Sequence, residues 1–354
     1  MSERAAFDGR APGEIAFEAP GVWVWDPRTG AFIAEEPAAE AASGPLLVAD
    51  SWLVREGRIR AFDRHAERFA RACRAAAEEA AARAEAEGGP AAVPESVGAA
   101  YALLAALAEQ EEFWQRLRSG IPVSGEWFPR IELAAPASAI PASRPESQAA
   151  SAPGAASSSA SPGIDAASHG IEGKPVLRFR LRPAPARADG VSVWVPETPD
   201  PRERPLIKGP DIARLGALRA QGVEWHAQDA LLCAADGTVV EAAHANLLWW
   251  EDDLLCVPDP ELGVFSGVTV GLVLEEAERR GIQVRRRRAL LTDLLSRDVW
   301  LTNALHGLRR VRAWRGPGTE DGVLARHADF VSAELERARR LRFAQWSAWL
   351  EAIR

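Results

Sequence analysis

The sequence predicts an α+β protein of two domains. Three observations lead there. The 354 residues are too many for one small core and suit two domains of ordinary size. Hairpin signals and helical stretches are interleaved, which points to layered sheets and helices rather than a doubly wound parallel sheet. Between them lies a run of Ala, Ser, Pro and Gly without periodicity, which cannot build a core. The expected organisation is an N-terminal domain over 1–133, a disordered insertion over 134–174 that packs against nothing, a C-terminal domain over 175–325 and a terminal helix over 326–354.

In order along the chain, Val22-Trp23-Val24-Trp25 and Ala31-Phe32-Ile33 flank a turn and read as a hairpin. Pro45 to Val54 and Ile59 to Phe62 form a second strand pair around Glu56-Gly57. Asp63 is placed to cap a helix whose apolar face carries Ala66, Phe69, Ala70 and Cys73 and which stops at Gly88-Gly89-Pro90. A second helix is expected over Ser96–Arg118, and a strand over Trp127–Leu133. After the insertion come strands at Val176–Leu181 and Val191–Val195, then a helix over Pro210–Ala220. Asp236-Gly237 marks a hairpin between Ala230–Ala234 and Thr238–Ala242, and a second joins Asn246–Trp250 to Leu254–Val257. A helix over Gly267–Arg280 is closed by Gly281, and Ile282–Val284 is a strand. Thr292 caps a short helix, Val299–Leu301 and Val311–Trp314 are strands, and a long helix over Arg326–Ile353 ends the chain.

Composition excludes several function classes. A net charge of -8 argues against a nucleic-acid partner, and the run Arg285 to Arg288 reads as a solvated strand edge. No apolar run is long enough to span a membrane. The N-terminal residues lack the layout of a signal peptide, and Cys73, Cys233 and Cys256 are too scattered for a disulfide framework; a cytoplasmic setting is expected. Neither common glycine-rich phosphate loop, nor a Gly-x-Ser-x-Gly elbow, nor a metal-ligand spacing of His or Cys is present, so no metal is expected.

The Lys+Arg total of 42 includes only two lysines, Lys174 and Lys208. Arg never gives up its proton and cannot replace an amine nucleophile, so a retained lysine suggests amine chemistry. Lys174 adjoins the insertion. Lys208 follows the apolar Leu206-Ile207 and precedes Gly209-Pro210, where partial desolvation would lower its pKa. Glu241 ends an apolar strand, Gly267-Val268-Thr269 opens a helix whose free N–H groups suit a phosphate, and Arg68 sits on the flank of the first helix. Singly, these also read as an edge-strand charge, a plain helix start and a surface arginine.

Jointly and in this order, together with Leu301-Thr302-Asn303-Ala304-Leu305, they resemble the fold-type IV pyridoxal-phosphate enzymes, the class IV aminotransferases that include aminodeoxychorismate lyase. The most specific stretch is Glu241-Ala242-Ala243-His244-Ala245-Asn246-Leu247-Leu248, similar to the family's Glu followed five residues later by Asn-Leu-Phe. The resemblance implies a small domain closing over pyridoxal 5'-phosphate held by the large one, as in D-amino-acid and branched-chain aminotransferases, and a homodimer acting on a small-molecule substrate. Lys208 would form the Schiff base and carry the proton at the substrate α-carbon. Glu241 would face the pyridine nitrogen. Arg68, Val268 and Thr269 would bind the phosphate, and Asn303 and Ala304 would lie near the phosphate or the substrate carboxylate. Ser51 and His244 are the substrate-side candidates.

The stretch after Glu241 and the Asn303-Ala304-Leu305 turn look most like aminodeoxychorismate lyase, in which pyruvate leaves and 4-aminobenzoate forms. An amino-acid aminotransferase is the alternative, and a non-catalytic binding protein on the same scaffold the lesser one. Three departures stand out: the family's aromatic-Gly-Asp-Gly segment is not recognisable between Gly44 and Leu53, Tyr101 is the single tyrosine, and Ala304 lacks a hydroxyl that some aminotransferases use.

Overall fold

The computed structural model describes residues 17, 19–35, 44–86, 95–136, 174–317, 322–326, 329 and 331–353. Most of the stretch read as an insertion, 137–173, therefore lies outside the described residues. Its expected first residue does not: Ala134 ends a strand and is buried.

The N-terminal sheet contains β1 (Gly21–Asp26), β2 (Ala31–Ala34), β3 (Leu46–Ser51), β7 (Arg130–Ala134) and β8 (Val176–Leu181), in the order β2-β1-β8-β7-β3. The expected hairpin is β1–β2, with Trp25 opposite Phe32. The strand expected to open the large domain, β8, belongs here instead: Phe179 pairs with Trp23 on one side and Ile131 on the other. Alternation explains the choice. Leu177, Phe179 and Leu181 supply one apolar face to the N-terminal core, beside Leu133 and Phe17. Three two-residue strands, β4 (Val54–Arg55), β5 (Arg58–Ile59) and β6 (Glu126–Trp127), make a small separate sheet around the Glu56-Gly57 turn.

Helix α1 (Phe62–Ala86) covers this core, with Asp63 in its first turn rather than at the cap. The single second helix expected from the sequence is two, α2 (Glu95–Ala108) and α3 (Glu111–Gly120). The break has a tertiary cause. The indole Nε1 of Trp114 donates to the Ala108 carbonyl at 2.8 Å, satisfying a helix-end acceptor that the next turn would have used.

The C-terminal sheet has nine strands: β9 (Gly190–Trp194), β10 (Asp229–Cys233), β11 (Val239–Ala242), β12 (Asn246–Glu251), β13 (Leu254–Pro258), β14 (Val284–Arg287), β15 (Asp298–Asn303), β16 (Gly307–Arg315) and β17 (Val323–Arg326). Their order is β11-β10-β9-β16-β15-β12-β13-β14, with β17 on β16. β12 is buried on both faces, which its unbroken apolar run requires. Leu247 and Trp249 face one core, whereas Leu248 and Trp250 face the other, against Trp300 and Trp346. Four α-helices among the described residues accompany the sheet: α4 (Ile212–Gln221), α5 (Val268–Arg279), the short α6 (Leu291–Leu294) and α7 (Ala333–Ala352). Thr292, expected to cap α6, lies inside it, and Leu290 holds the cap position. Helix α7 starts at Ser332, whose side chain accepts from the Leu335 N–H; the expected start at Arg326 falls at the end of β17.

The arginine run lies mostly on β14, where Arg287 reaches Glu251 and Arg288 reaches Asp259 and Glu261. No helix among the described residues is long and apolar enough to cross a membrane.

Ion pairs and a backbone hydrogen bond are among the contacts that join the two units. Arg64 grips Glu275 at 2.6 and 2.7 Å, Arg204 reaches Glu79 at 2.7 Å, and Glu351 at the end of α7 engages Arg55, Arg60 and Arg187. The Ala49 N–H on the edge strand β3 donates to the Lys208 carbonyl at 2.6 Å.

Candidate active site

A cleft partly open to solvent lies where the units meet. Arg68, Lys208, Glu241, His244, Val268, Thr269, Asn303 and Ala304 all line it, although they span well over two hundred positions of sequence. Ser51 does not line it; it is buried on β3 opposite Arg130.

Lys208 sits in the turn before α4. Its carbonyl is tied to β3, and the next residue, Gly209, has φ of 148°. A Cβ on Gly209 would come within 2.8 Å of Val48 Cα and 2.9 Å of the Leu47 carbonyl, so only glycine lets the turn lie against the strand. Desolvation lowers the Lys208 amine to about 8; Asp50 opposes this, while Arg68, Arg130 and Arg182 push the same way. The neutral fraction at pH 7 is about a tenth, some three-hundredfold more than an ordinary lysine offers.

Glu241 occupies β11, opposite Leu232, and is buried. Burial pushes its carboxyl up to about 7, while Arg202 and the Phe265 N–H pull it back. Its Oε1 accepts from Phe265 N at 3.0 Å and from Arg202, and its Oε2 accepts from Asn246 Nδ2 at 2.7 Å. Arg202 is clamped in turn on Asp200, at 2.6 Å from Nη2 to Oδ2.

The opposite wall is the start of α5. Gly267 takes the cap position without a side-chain cap, and Val268 and Thr269 form the first turn. A Cβ at Gly267 would lie 2.0 Å from Asn246 Oδ1, so this residue too has to be glycine. Arg68 projects from α1 to the same place: its Nη1 donates to the Ser266 carbonyl at 3.2 Å, and its guanidinium lies 5.0 Å from the Phe265 ring centroid. Asn303 is already engaged, donating to the His244 carbonyl at 3.0 Å and accepting from the His306 N–H at 2.8 Å. His244 covers the buried Asp229, which accepts its backbone N–H at 3.2 Å and the Arg309 guanidinium at 2.8 Å.

This lining suits pyridoxal phosphate. It combines an amine, a buried acid, and a helix start with free N–H groups beside an arginine. Thr302, which also lines the cleft, buries a hydroxyl that has no hydrogen-bond partner among the described residues.

Sequence reasoning missed Asp50, His65, Arg202, Asn246 and Thr302 as site residues. Asn246 and Thr302 stood inside the recognised segments and could have been picked out. Arg202 is one arginine among many, and Asp50 and His65 carried no signal.

Residues 161–314 match the model of the family described as amino-transferase class IV. Aminodeoxychorismate lyase of Bacillus subtilis (strain 168) is 28% identical over 78 residues, which are 22% of this chain and 27% of that relative. The chain thus matches about a quarter of that relative's length. Among solved structures, the fold IV-transaminase CpuTA1 from Curtobacterium pusillum superposes with a TM-score of 0.54 at 18% identity, covering 94% of this chain and 99% of that one. The PLP-bound form of a hypothetical aminotransferase from Mycobacterium tuberculosis gives 0.53 at 18% identity, covering 90% and 96%. The structures establish the shared fold, and the family model matches the segment that carries Lys208, Glu241 and the α5 start.

Proposed function

We propose that this protein is a pyridoxal-phosphate enzyme whose reaction is that of aminodeoxychorismate lyase. The observation that carries the cofactor reading is the convergence of Lys208, with its amine lowered to about 8, and the buried Glu241 on one cleft. Arg68, Val268 and Thr269 would hold the phosphate, and Glu241 would hold a proton at the ring nitrogen. Bound there, the cofactor supplies an electron sink for a carbanion at the substrate α-carbon. Lys208 provides the amine for attachment and then moves the proton at the α-carbon; in the lyase reading it delivers that proton as pyruvate leaves.

Two features favour the lyase. The aligned Bacillus subtilis relative is named for that activity. The positive field of Arg68, Arg130 and Arg182 around Lys208 suits aminodeoxychorismate, which carries two carboxylates. Amino-acid transamination is the second reading, favoured by the similarity to CpuTA1. A homodimer and a cytoplasmic location belong to the same proposal.

The test is incubation of purified protein with aminodeoxychorismate, and separately with amino acids plus 2-oxoglutarate. Pyruvate and 4-aminobenzoate without amino transfer support the lyase; amino transfer without pyruvate assigns the transaminase. A protein that takes up no cofactor, with no visible absorbance for Lys208→Ala to remove, refutes both.

A further inference from the structure

Asp50 lies on β3 with no exposed surface, an expensive place for a carboxylate. It is fully engaged there. Oδ2 accepts from Arg68 Nε at 2.8 Å, and Oδ1 accepts from Arg68 Nη2 at 2.8 Å and from the Ser51 N–H at 2.7 Å. Oδ1 also lies 2.8 Å from His65 Nδ1. An ionised carboxylate only accepts, so Nδ1 carries the imidazole proton. Burial alone would raise the Asp50 carboxyl, but Arg68 and His65 outweigh it and hold the group well below the ordinary carboxylate range.

His65 and Arg68 lie one helical turn apart on α1, so one carboxylate grips both from a neighbouring strand. The consequence falls on Arg68. Asp50 takes its Nε/Nη2 edge, the Ser266 carbonyl takes one Nη1 proton, and the Phe265 ring backs its plane. Among the described residues, one N–H remains without a partner on each terminal nitrogen, beside the start of α5.

We propose that Asp50 is the positioning residue of the phosphate-binding arm: it fixes the guanidinium of Arg68 so that the two remaining N–H groups meet a phosphate at the start of α5. This rests on the pyridoxal-phosphate reading and adds a residue to it. A carboxylate that only neutralised a buried arginine would stabilise the fold without distinguishing ligands that carry a phosphate from ligands that do not.

The experiment compares pyridoxal phosphate with phosphate-free pyridoxal, each titrated into the full-length protein and followed by visible absorbance. In Asp50→Asn an amide N–H faces a donor of Arg68 or His65. The affinity for pyridoxal phosphate should fall roughly ten- to a hundredfold, the scale of losing a hydrogen bond to a charged group, while that for pyridoxal stays nearly unchanged. Asp50→Asn should cost nothing more once Arg68→Ala has been made. If Asp50→Asn does not fold, Asp50→Glu serves: it keeps the charge but not the reach, and should show a smaller loss for the phosphorylated compound alone. Equal losses for both compounds, an unchanged affinity for pyridoxal phosphate, or full additivity with Arg68→Ala would overturn the inference. Wild-type protein that takes up neither compound would instead refute the cofactor reading, and this inference with it.

Discussion

Replacing Arg202 with Met removes the positive charge that opposes the burial of Glu241 while keeping most of the side-chain volume. The Arg202 side chain is 4% exposed, bridges Asp200 to Glu241, and donates to the Gly263 carbonyl at 3.2 Å. Two unit charges about 4 Å apart interact by about 4 kcal/mol at an effective dielectric near 20, which is about three pKa units. Glu241, already raised to about 7 by burial, would then stay protonated throughout the range in which the enzyme can be assayed. A neutral acid no longer favours a protonated ring nitrogen. Cofactor uptake should remain within a few-fold of wild type, because Arg68 and the start of α5 are untouched, while kcat falls by about a hundredfold. Absorbance titration gives the first quantity and steady-state kinetics from pH 6 to 9 the second. Glu241→Gln should lose as much, and the double variant no more than either. A kcat within twofold of wild type across that range, or losses that add, would refute the reasoning.

Three further outcomes are expected. The rate at which the apoprotein captures pyridoxal phosphate should rise with pH and level off above about 8, since only the neutral Lys208 amine reacts; stopped-flow absorbance that keeps climbing toward pH 10 would mean an unperturbed lysine. Gly209→Ala meets the backbone of Leu47 and Val48 and should cost about 2 kcal/mol or more, seen as a lower Tm together with weaker cofactor absorbance. Glu351→Gln removes the anion shared by Arg55, Arg60 and Arg187; because that carboxylate is about one-third exposed, urea unfolding should show a loss of only about 1 kcal/mol.

Much of the site was legible in the sequence because scarce or patterned residues carry it. Lys208 stands out in a chain that otherwise uses arginine, and Glu241 and Asn246 sit in a segment of fixed spacing. The strand β8 was legible in the sequence, but its sheet was not. Alternation states that one face is buried and not against what, and only the pairing with Trp23 and Ile131 decides that. The break between α2 and α3 was invisible because its cause is an indole six residues from the carbonyl it caps, with no glycine or proline to mark it. Asp50 was hidden for a related reason. In sequence it only interrupts an apolar strand, and its meaning comes from α1 lying across that strand.

The ladder between β7 and β8 closes with Ala134 opposite Val176, so the backbone comes back to within one strand spacing of where it departed. β7 and β8 are therefore antiparallel neighbours whatever path the chain takes between them. Excising 137–173 and joining the ends with a short turn should leave both sheets intact. Shortening a closed loop about tenfold returns on the order of 2 kcal/mol of chain entropy. The same junction offers a place to graft a reporter domain or introduce a protease site without severing Arg68 from the lysine it serves.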